Sequence, residues 1–131
     1  MYGDAEEPVR VAAGVLKHDG HILICQRGIN RRYGLKWEFP GGKTFPGETL
    51  GECLEREIWE ELDIEPTEYH EIKTLEHQYT DGGHFLVTFF LITAYSGTIR
   101  NKVFENVRWV AGDEIATMDL LDGTRPILQF L

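Results

Sequence analysis

The chain has 131 residues, 42% of them hydrophobic, and a formal net charge of −9 from 13 basic and 22 acidic side chains. That length supports a single domain over residues 1–131 and is too short for two. The acidic balance argues against a nucleic-acid polymer as partner, because a protein that follows a phosphate backbone needs a basic face. No apolar run approaches the roughly 18 residues of a membrane span, so no membrane partner is expected.

The first ten residues and the cysteines predict the cell compartment. The stretch MYGDAEEPVR is acidic and lacks the basic and then apolar order of a signal peptide. Cys25 and Cys53 are the only cysteines, and neither has the neighbours of a zinc site or of a thiol nucleophile. We expect both to be reduced core residues, which predicts a cytoplasmic protein.

Two strands and a polar loop come first in chain order. Residues 9–16 (VRVAAGVL) and 21–25 (HILIC) are rich in β-branched and aliphatic residues and flank Asp19-Gly20, a dipeptide typical of tight hairpins. The loop that follows, RGINRRYGLK, carries a basic cluster: Arg27, Arg31, Arg32 and Lys36. The cluster is either a solvated loop or part of a phosphate-binding surface.

A helix and further strands complete the predicted order. Thr49 and Glu52 form a capping box at the start of a helix that ends near Leu62, before Pro66. Strands are predicted at residues 69–79, 84–95, 97–100 and 107–110, and short helices at 111–118 and 124–131. Strands on both sides of a helix, with helices at the end, predict an α/β fold with a mixed sheet packed between helices.

The helix carries three glutamates at unusual positions. On a helical wheel an arc of carboxylates lies directly beside the apolar stripe. The stripe is Leu50, Leu54, Ile58 and Leu62, and the arc is Glu57, Glu60 and Glu61. Glu52 and Glu55 point elsewhere. Either the arc is a solvated acidic face, or a divalent cation lies between carboxylates that would otherwise repel one another.

The residues before the helix favour the cation. Pro40-Gly41-Gly42-Lys43 can bring backbone groups close to a ligand, as only glycine permits. Glu48 and Arg56 have opposite charges and could pair to brace this loop against the helix. Carboxylates that hold a metal, next to basic residues that face phosphate oxygens, are what a metal–phosphate site needs.

The same stretch resembles the Nudix box. Residues 42–64 match its pattern at Gly42, Glu48, Arg56-Glu57-Ile58, Glu60-Glu61 and Ile64, with Asp63 where glycine is usual. Asp tolerates the left-handed conformation needed there. Outside the box, VAAGVL, ILICQR and WEFPGGK resemble strands of the MutT-like branch, the nucleoside triphosphate pyrophosphohydrolases.

The resemblance implies a fold and an activity. The fold would be a Nudix-type α/β/α sandwich with a mixed β-sheet. The activity would be hydrolysis of (deoxy)nucleoside triphosphates, of the oxidised dGTP or CTP type, to the monophosphate and pyrophosphate with Mg²⁺ or Mn²⁺. The alternatives are a non-catalytic module that senses nucleotides and a hydrolase of another nucleoside diphosphate derivative. The sequence gives no indication of the oligomeric state.

Roles for individual residues follow from the resemblance. Glu57, Glu60 and Glu61 would be the catalytic metal ligands, joined by the carbonyl of Gly41, with Glu57 as the first choice for the proton acceptor. Glu48 and Arg56 would form a structural pair. Substrate-binding residues would be Arg27 and Lys43 at the phosphates, Glu38, Phe39 and Pro40 near the nucleoside, and Thr124 at the base.

Two positions depart from the MutT-like pattern. Glu105 is offset from the place of a late-loop glutamate, and could be only a surface residue. Thr124 stands where Asn or Asp is frequent in enzymes that recognise oxidised guanine, with Asp122 two residues earlier. Phe39 could be a core aromatic instead of a nucleoside contact, and Tyr79 is interpreted as a core residue.

Overall fold

The computed structural model describes residues 7–131, so most of the acidic segment assessed for a signal peptide lies outside the described residues. Its strands are β1 (Val9–His18), β2 (His21–Gln26), β3 (Trp37–Glu38), β4 (Gly41–Lys43), β5 (Glu65–Gln78), β6 (His84–Ser96) and β7 (Asn106–Ala111). Its helices are α1 (Leu50–Leu62) and two 3-10 helices, Ile115–Thr117 and Arg125–Phe130.

The predicted hairpin between β1 and β2 is confirmed. Asp19 and Gly20 both have positive φ, 49° and 74°, as a tight two-residue hairpin turn requires. The two strands pair only next to that turn. Beyond it β1 pairs with β4 and β6, while β2 pairs with β3 and β7. The two strands therefore separate beyond the turn, and Val11 and Ala13 in this part of β1 line a cleft.

The sheet is mixed, as predicted. Its seven strands follow the order β3-β2-β1-β6-β5, with β4 added to β1 and β7 added to β2. The β1–β6 pair is parallel from Val9↔Phe85 to Leu16↔Ile92, and the other strand pairs are antiparallel. β5 is an edge strand of the sheet. It can therefore accommodate Pro66 near its start, because a proline has no N–H to donate to a neighbouring strand.

Helical layers cover both faces of the sheet. On one face the α1 residues Leu54, Ile58 and Leu62 are fully buried in a cluster that also contains β1 and β6 side chains and Cys53. On the other face the 3-10 segments contribute Ile115 and Ile127 to a second cluster. Both cysteines are free and buried, as predicted. In the described part of the chain, no helix is long and apolar enough to cross a membrane.

Two secondary-structure predictions were wrong. Residues 97–100 (GTIR) form no strand, because Gly97 turns the chain with φ of 96° and Arg100 then donates its N–H to the carbonyl of Leu62 at the end of α1. The two C-terminal helices are 3-10 and cover less than the predicted ranges. Pro126 lacks an N–H and stands at the start of the second one.

Candidate active site

Local sequence fixes both ends of α1, which carries the carboxylates. The capping box is present: the Thr49 hydroxyl accepts from the N–H of Glu52, and the Glu52 carboxylate accepts from the N–H of Thr49. At the other end Asp63 adopts the left-handed conformation with φ of 62° and donates its N–H to Trp59. Asp63 thus ends the helix in the way that glycine normally does.

The glycine strand β4 is clamped between β1 and α1. A Cβ on Gly41, whose φ is 153°, would lie 2.0 Å from the carbonyl oxygen of Ala12. A Cβ on Gly42 would lie 2.4 Å from a carboxylate oxygen of Glu57. From the helix, the Cys53 thiol donates to the Gly42 carbonyl at 3.3 Å. Gly41 is therefore needed for β4 to lie this close to β1, and Gly42 for it to lie this close to the Glu57 carboxylate.

Glu57 and Glu61 are brought together in the cleft. The Gly41 N–H donates to Glu61 Oε1 at 2.9 Å. Burial raises the pKa of Glu61 to about 9, and the negative charge of Glu57 adds to the shift. Glu60 lies apart from this pair, with its side chain 46% exposed and directed at Arg56.

Arg56 is hydrogen-bonded to three carboxylates. Its guanidinium donates to both oxygens of Glu48, at 2.7 and 2.9 Å, and to Glu57 and Glu60, each at 2.9 Å. The hydrogen bonds from Arg56, with one from the backbone of Phe45, hold the pKa of Glu48 at about 2. One side chain thus joins the loop at Glu48 to two of the helix glutamates.

The donor set fits a divalent cation. Hard cations choose oxygen ligands, and two converging carboxylates beside a glycine backbone supply them. Burial and the neighbouring charge of Glu57 raise the pKa of Glu61, and a cation between the two carboxylates would favour their charged forms. Residues 7–131 contain no preassembled group of three or more His, Cys, Asp or Glu side chains that could hold a metal. Glu60 would have to leave Arg56 to join Glu57 and Glu61.

The state of Glu61 predicts a pH dependence of stability in protein kept metal-free with a chelator. Because the folded-state pKa is raised from 4.5 to about 9, the folded state holds a proton that the unfolded chain loses. The free energy of unfolding should therefore fall from about pH 4.5 to about pH 9. Glu61→Gln, which cannot ionise, should flatten this fall. Thermal melts across the range test it, and parallel pH profiles for the two proteins would contradict it.

A cleft of about 630 Å³ extends from the carboxylates to a group of aromatic rings. We call Tyr33, His77, Tyr79 and Phe85 the aromatic cluster. Tyr79 lies at its centre, with ring centroids 5.1 Å from Tyr33, 4.3 Å from His77 and 5.8 Å from Phe85. Glu38 also lines this cleft, and its charge contributes to raising the pKa of both Glu61 and Tyr79.

Most of the basic loop is already paired. Arg27 donates to both oxygens of Glu38, at 3.0 and 3.1 Å, and both side chains are largely buried. Arg32 pairs with Asp81 and Lys36 with Asp119, each at 2.7 Å. Arg31 and Lys43 also line the cleft, and neither has an ion-pair partner within residues 7–131.

The other predicted residues lie in different settings. Phe39 is 5% exposed and packs edge-on against Phe89, so it lines the cleft from the core. Pro40 is buried and is not among the residues that line the cleft. Thr124 lines the cleft and is 5% exposed, whereas Asp122 is exposed outside it. Glu105 accepts from the N–H of Ile29 at 3.3 Å and is not among the lining residues.

The aromatic cluster was not predicted from the sequence. Tyr79 was interpreted as a core residue, but it lines the cleft together with Tyr33. The signal that could have located it is the spacing of His77 and Tyr79, two residues apart near the end of a strand, which places both side chains on one face.

Comparison with known proteins identifies the family. The NUDIX domain family matches residues 8–131, so the chain belongs to that family, as a Nudix hydrolase of the MutT-like branch. It is 35% identical over 99 residues to an 8-oxo-dGTP diphosphatase of Proteus vulgaris, covering 74% of this chain and 87% of the relative. It is 30% identical over 124 residues to a CTP pyrophosphohydrolase of Escherichia coli strain K12, covering 92% and 89%.

The fold has a close counterpart among solved structures. A MutT NUDIX hydrolase from Burkholderia pseudomallei superposes with a TM-score of 0.88 at 28% identity, covering 96% of this chain and 99% of that one. The match extends over nearly all of both chains, so the α/β/α sandwich predicted from the sequence is confirmed.

Proposed function

We propose that the protein hydrolyses nucleoside triphosphates to the monophosphate and pyrophosphate with Mg²⁺ or Mn²⁺. The observation that supports this most is one cleft that contains the Glu57–Glu61 pair, an aromatic cluster and two cations, Arg31 and Lys43, without an ion-pair partner among residues 7–131. These three features suit the metal, the phosphates and the base of one nucleotide. The similarity to a diphosphatase and a pyrophosphohydrolase supports the same reaction class.

Glu57, Glu61 and the carbonyl of Gly41 would hold the cation, with Glu60 as a further ligand once it leaves Arg56. When bound, the cation would neutralise phosphoryl oxygens and lower the pKa of a bound water. Glu57 is the proposed proton acceptor for the attacking water. Its carboxylate faces the cleft while Arg56 holds one of its oxygens at 2.9 Å, whereas Glu105 is engaged with Ile29.

Arg31 and Lys43 are the cations that we assign to the phosphates. Both line the cleft without an ion-pair partner in the described residues, so binding a phosphate breaks no existing pair. Arg27 was predicted for this role, but its guanidinium is already held by the Glu38 carboxylate. Its contribution is therefore proposed to be framing the middle of the cleft together with Glu38.

The nucleoside is assigned to the region between Glu38 and Thr124. Glu38 and the edge of Phe39 would face the sugar or base, and the buried Pro40 would shape the backbone behind them. Thr124 would contact the base. A hydroxyl makes fewer simultaneous bonds to a base edge than an Asn amide, so we propose only moderate selectivity between oxidised dGTP and CTP-type substrates.

Replacing Arg31 with Gln is expected to raise the KM for a triphosphate by about tenfold or more, because a hydrogen bond to a charged group is lost. The kcat should change little, since the residue binds phosphate without touching the metal ligands. Steady-state kinetics measure both constants. Arg100→Gln, an exposed arginine outside the cleft, is the matched control. An unchanged KM in Arg31→Gln, or an equal rise in Arg100→Gln, would remove the residue from the phosphate site.

A panel of nucleotides tests the function as a whole. Pyrophosphate release is measured with Mg²⁺ for oxidised dGTP, dGTP, CTP and other triphosphates, ranked by kcat/KM. Turnover of at least one of them supports the proposal. Saturable nucleotide binding without turnover in Mg²⁺ or Mn²⁺ would instead identify a sensing module. Turnover restricted to other nucleoside diphosphate derivatives would identify a different hydrolase.

We propose a cytoplasmic location only because the two cysteines are free thiols. Cys25 and Cys53 are free and buried, and burial raises the pKa of both, which keeps them in the unreactive thiol form. Fractionation of cells that express the tagged protein tests the location. Recovery outside the cytoplasmic fraction would contradict it.

A further inference from the structure

Tyr79 is hydrogen-bonded to the loop that carries Thr124. The N–H of Gly123 donates to the Tyr79 phenol oxygen at 3.1 Å. The fit is close, since a Cβ on Gly123 would lie 2.7 Å from that same oxygen. Gly123 directly precedes Thr124, so the bond fixes the backbone next to the side chain assigned to the base.

The Tyr79 ring is itself held in place by a second loop. It stacks on Tyr33, with an angle of 28° between the planes. The Tyr33 hydroxyl and the Arg32 guanidinium both donate to the Asp81 carboxylate, and Arg32 also donates to the carbonyl of Gly82 at 2.6 Å. The basic loop, the β5–β6 turn and the C-terminal loop therefore meet at Tyr79.

The Thr124 hydroxyl has access to the cleft. It makes no capping bond to the 3-10 helix that follows, and no other hydrogen bond of this hydroxyl is seen within residues 7–131. In the same residues no fully buried side-chain oxygen lacks a partner. The hydroxyl is therefore not fully enclosed, and the cleft that Thr124 lines is where it can meet a ligand.

We propose that Tyr79 is a positioning residue for base selection: its hydroxyl anchors Gly123 so that the Thr124 hydroxyl is presented to the base. This inference rests on the proposed triphosphate hydrolysis. The rings of the aromatic cluster form a wall that accepts any base, whereas a hydrogen bond at a fixed position distinguishes one base edge from another. Tyr79 acts on that distinction through Thr124, without contributing to the metal site.

Tyr79→Phe keeps the ring and its stacking on Tyr33 but removes the acceptor for Gly123. The preference for the best base over the worst, as a ratio of kcat/KM, should fall by about twofold to tenfold, the worth of one neutral hydrogen bond. The change should appear as a rise in the KM of the preferred substrate that is larger than any rise for the poorest substrate. Tyr95→Phe, an exposed tyrosine of β6 outside the cleft, should leave the ratio unchanged.

A double-mutant cycle with Thr124→Val decides whether Tyr79 acts through Thr124. The pair Tyr79→Phe and Thr124→Val should lose no more preference than Thr124→Val alone, because both remove the same contact. Full additivity would overturn the proposal, as would an unchanged ratio in Tyr79→Phe. A uniform loss for all substrates with a lowered melting temperature would show a purely structural role and would also overturn it.

The same data separate this inference from the proposed function. A parent enzyme that turns over triphosphates with a base preference, while Tyr79→Phe keeps that preference, overturns the role of Tyr79 alone. A parent that turns over no triphosphate with either cation overturns the proposed function and the role of Tyr79 with it.

Discussion

Glu61→Gln is expected to reduce kcat by at least about a hundredfold, since a metal in such a site stabilises the transition state by several kcal/mol. The fold should remain, because Gln keeps an oxygen that can accept from the Gly41 N–H, the bond that Glu61 makes at 2.9 Å. Removing the charge weakens cation binding while the shape of the site stays the same. Steady-state turnover with Mg²⁺, together with calorimetric titration of Mn²⁺, measures the two losses.

Glu55→Gln is the control for this change. Glu55 lies on the same helix and is exposed, with its carboxylate bonded to the hydroxyl of Tyr69, outside the cleft. It should retain the parent turnover and cation affinity. Near-parent turnover in Glu61→Gln would show that the carboxylate pair does not hold the catalytic metal.

Gly42→Ala is expected to cost about a hundredfold in kcat, the scale of a catalytic group displaced by roughly 1 Å. The new Cβ would lie 2.4 Å from the carboxylate carbon of Glu57, so the carboxylate must move and its bond to Arg56 must change. Because the atoms that give way belong to the end of a flexible side chain, the fold should persist. Kinetics and circular dichroism on the same sample test both parts.

Gly112→Ala provides a matched glycine replacement away from the cleft. Its Cβ would meet nothing nearer than 3.9 Å, the carbonyl oxygen of Gly20. It should leave kcat at the parent value. If Gly42→Ala were as active as Gly112→Ala, the position of Glu57 above the glycine strand would be irrelevant to turnover.

The fold was largely predictable because its signals are local. The Asp19-Gly20 turn and the Thr49–Glu52 capping box each fix a boundary within a few residues, and both are present. The failure at residues 97–100 has a different origin. Gly97 turns the chain, and the N–H of Arg100 bonds to the carbonyl of Leu62 at the end of α1. No local pattern reveals a partner so distant in sequence.

The part of the candidate site that lies on a single helix could be predicted from the sequence. Glu57 and Glu61 share a helix, so their convergence follows from helical spacing alone. The pairing of Arg27 with Glu38 depends on how β2 and β3 align. The aromatic cluster depends on three segments meeting at Tyr79. The alignment of β2 with β3 cannot be deduced from composition or periodicity, and the spacing of His77 and Tyr79 indicates only part of the aromatic cluster.

Identifying the products of one turnover experiment tests the central claim most directly. The parent protein is incubated with a nucleoside triphosphate and Mg²⁺, and the phosphorus-containing products are resolved by phosphorus NMR, with a chelator-treated sample as reference. The proposed function predicts equal amounts of nucleoside monophosphate and pyrophosphate, formed only when the divalent cation is present. Nucleoside diphosphate with orthophosphate, or equal turnover in the chelator-treated sample, would contradict that claim.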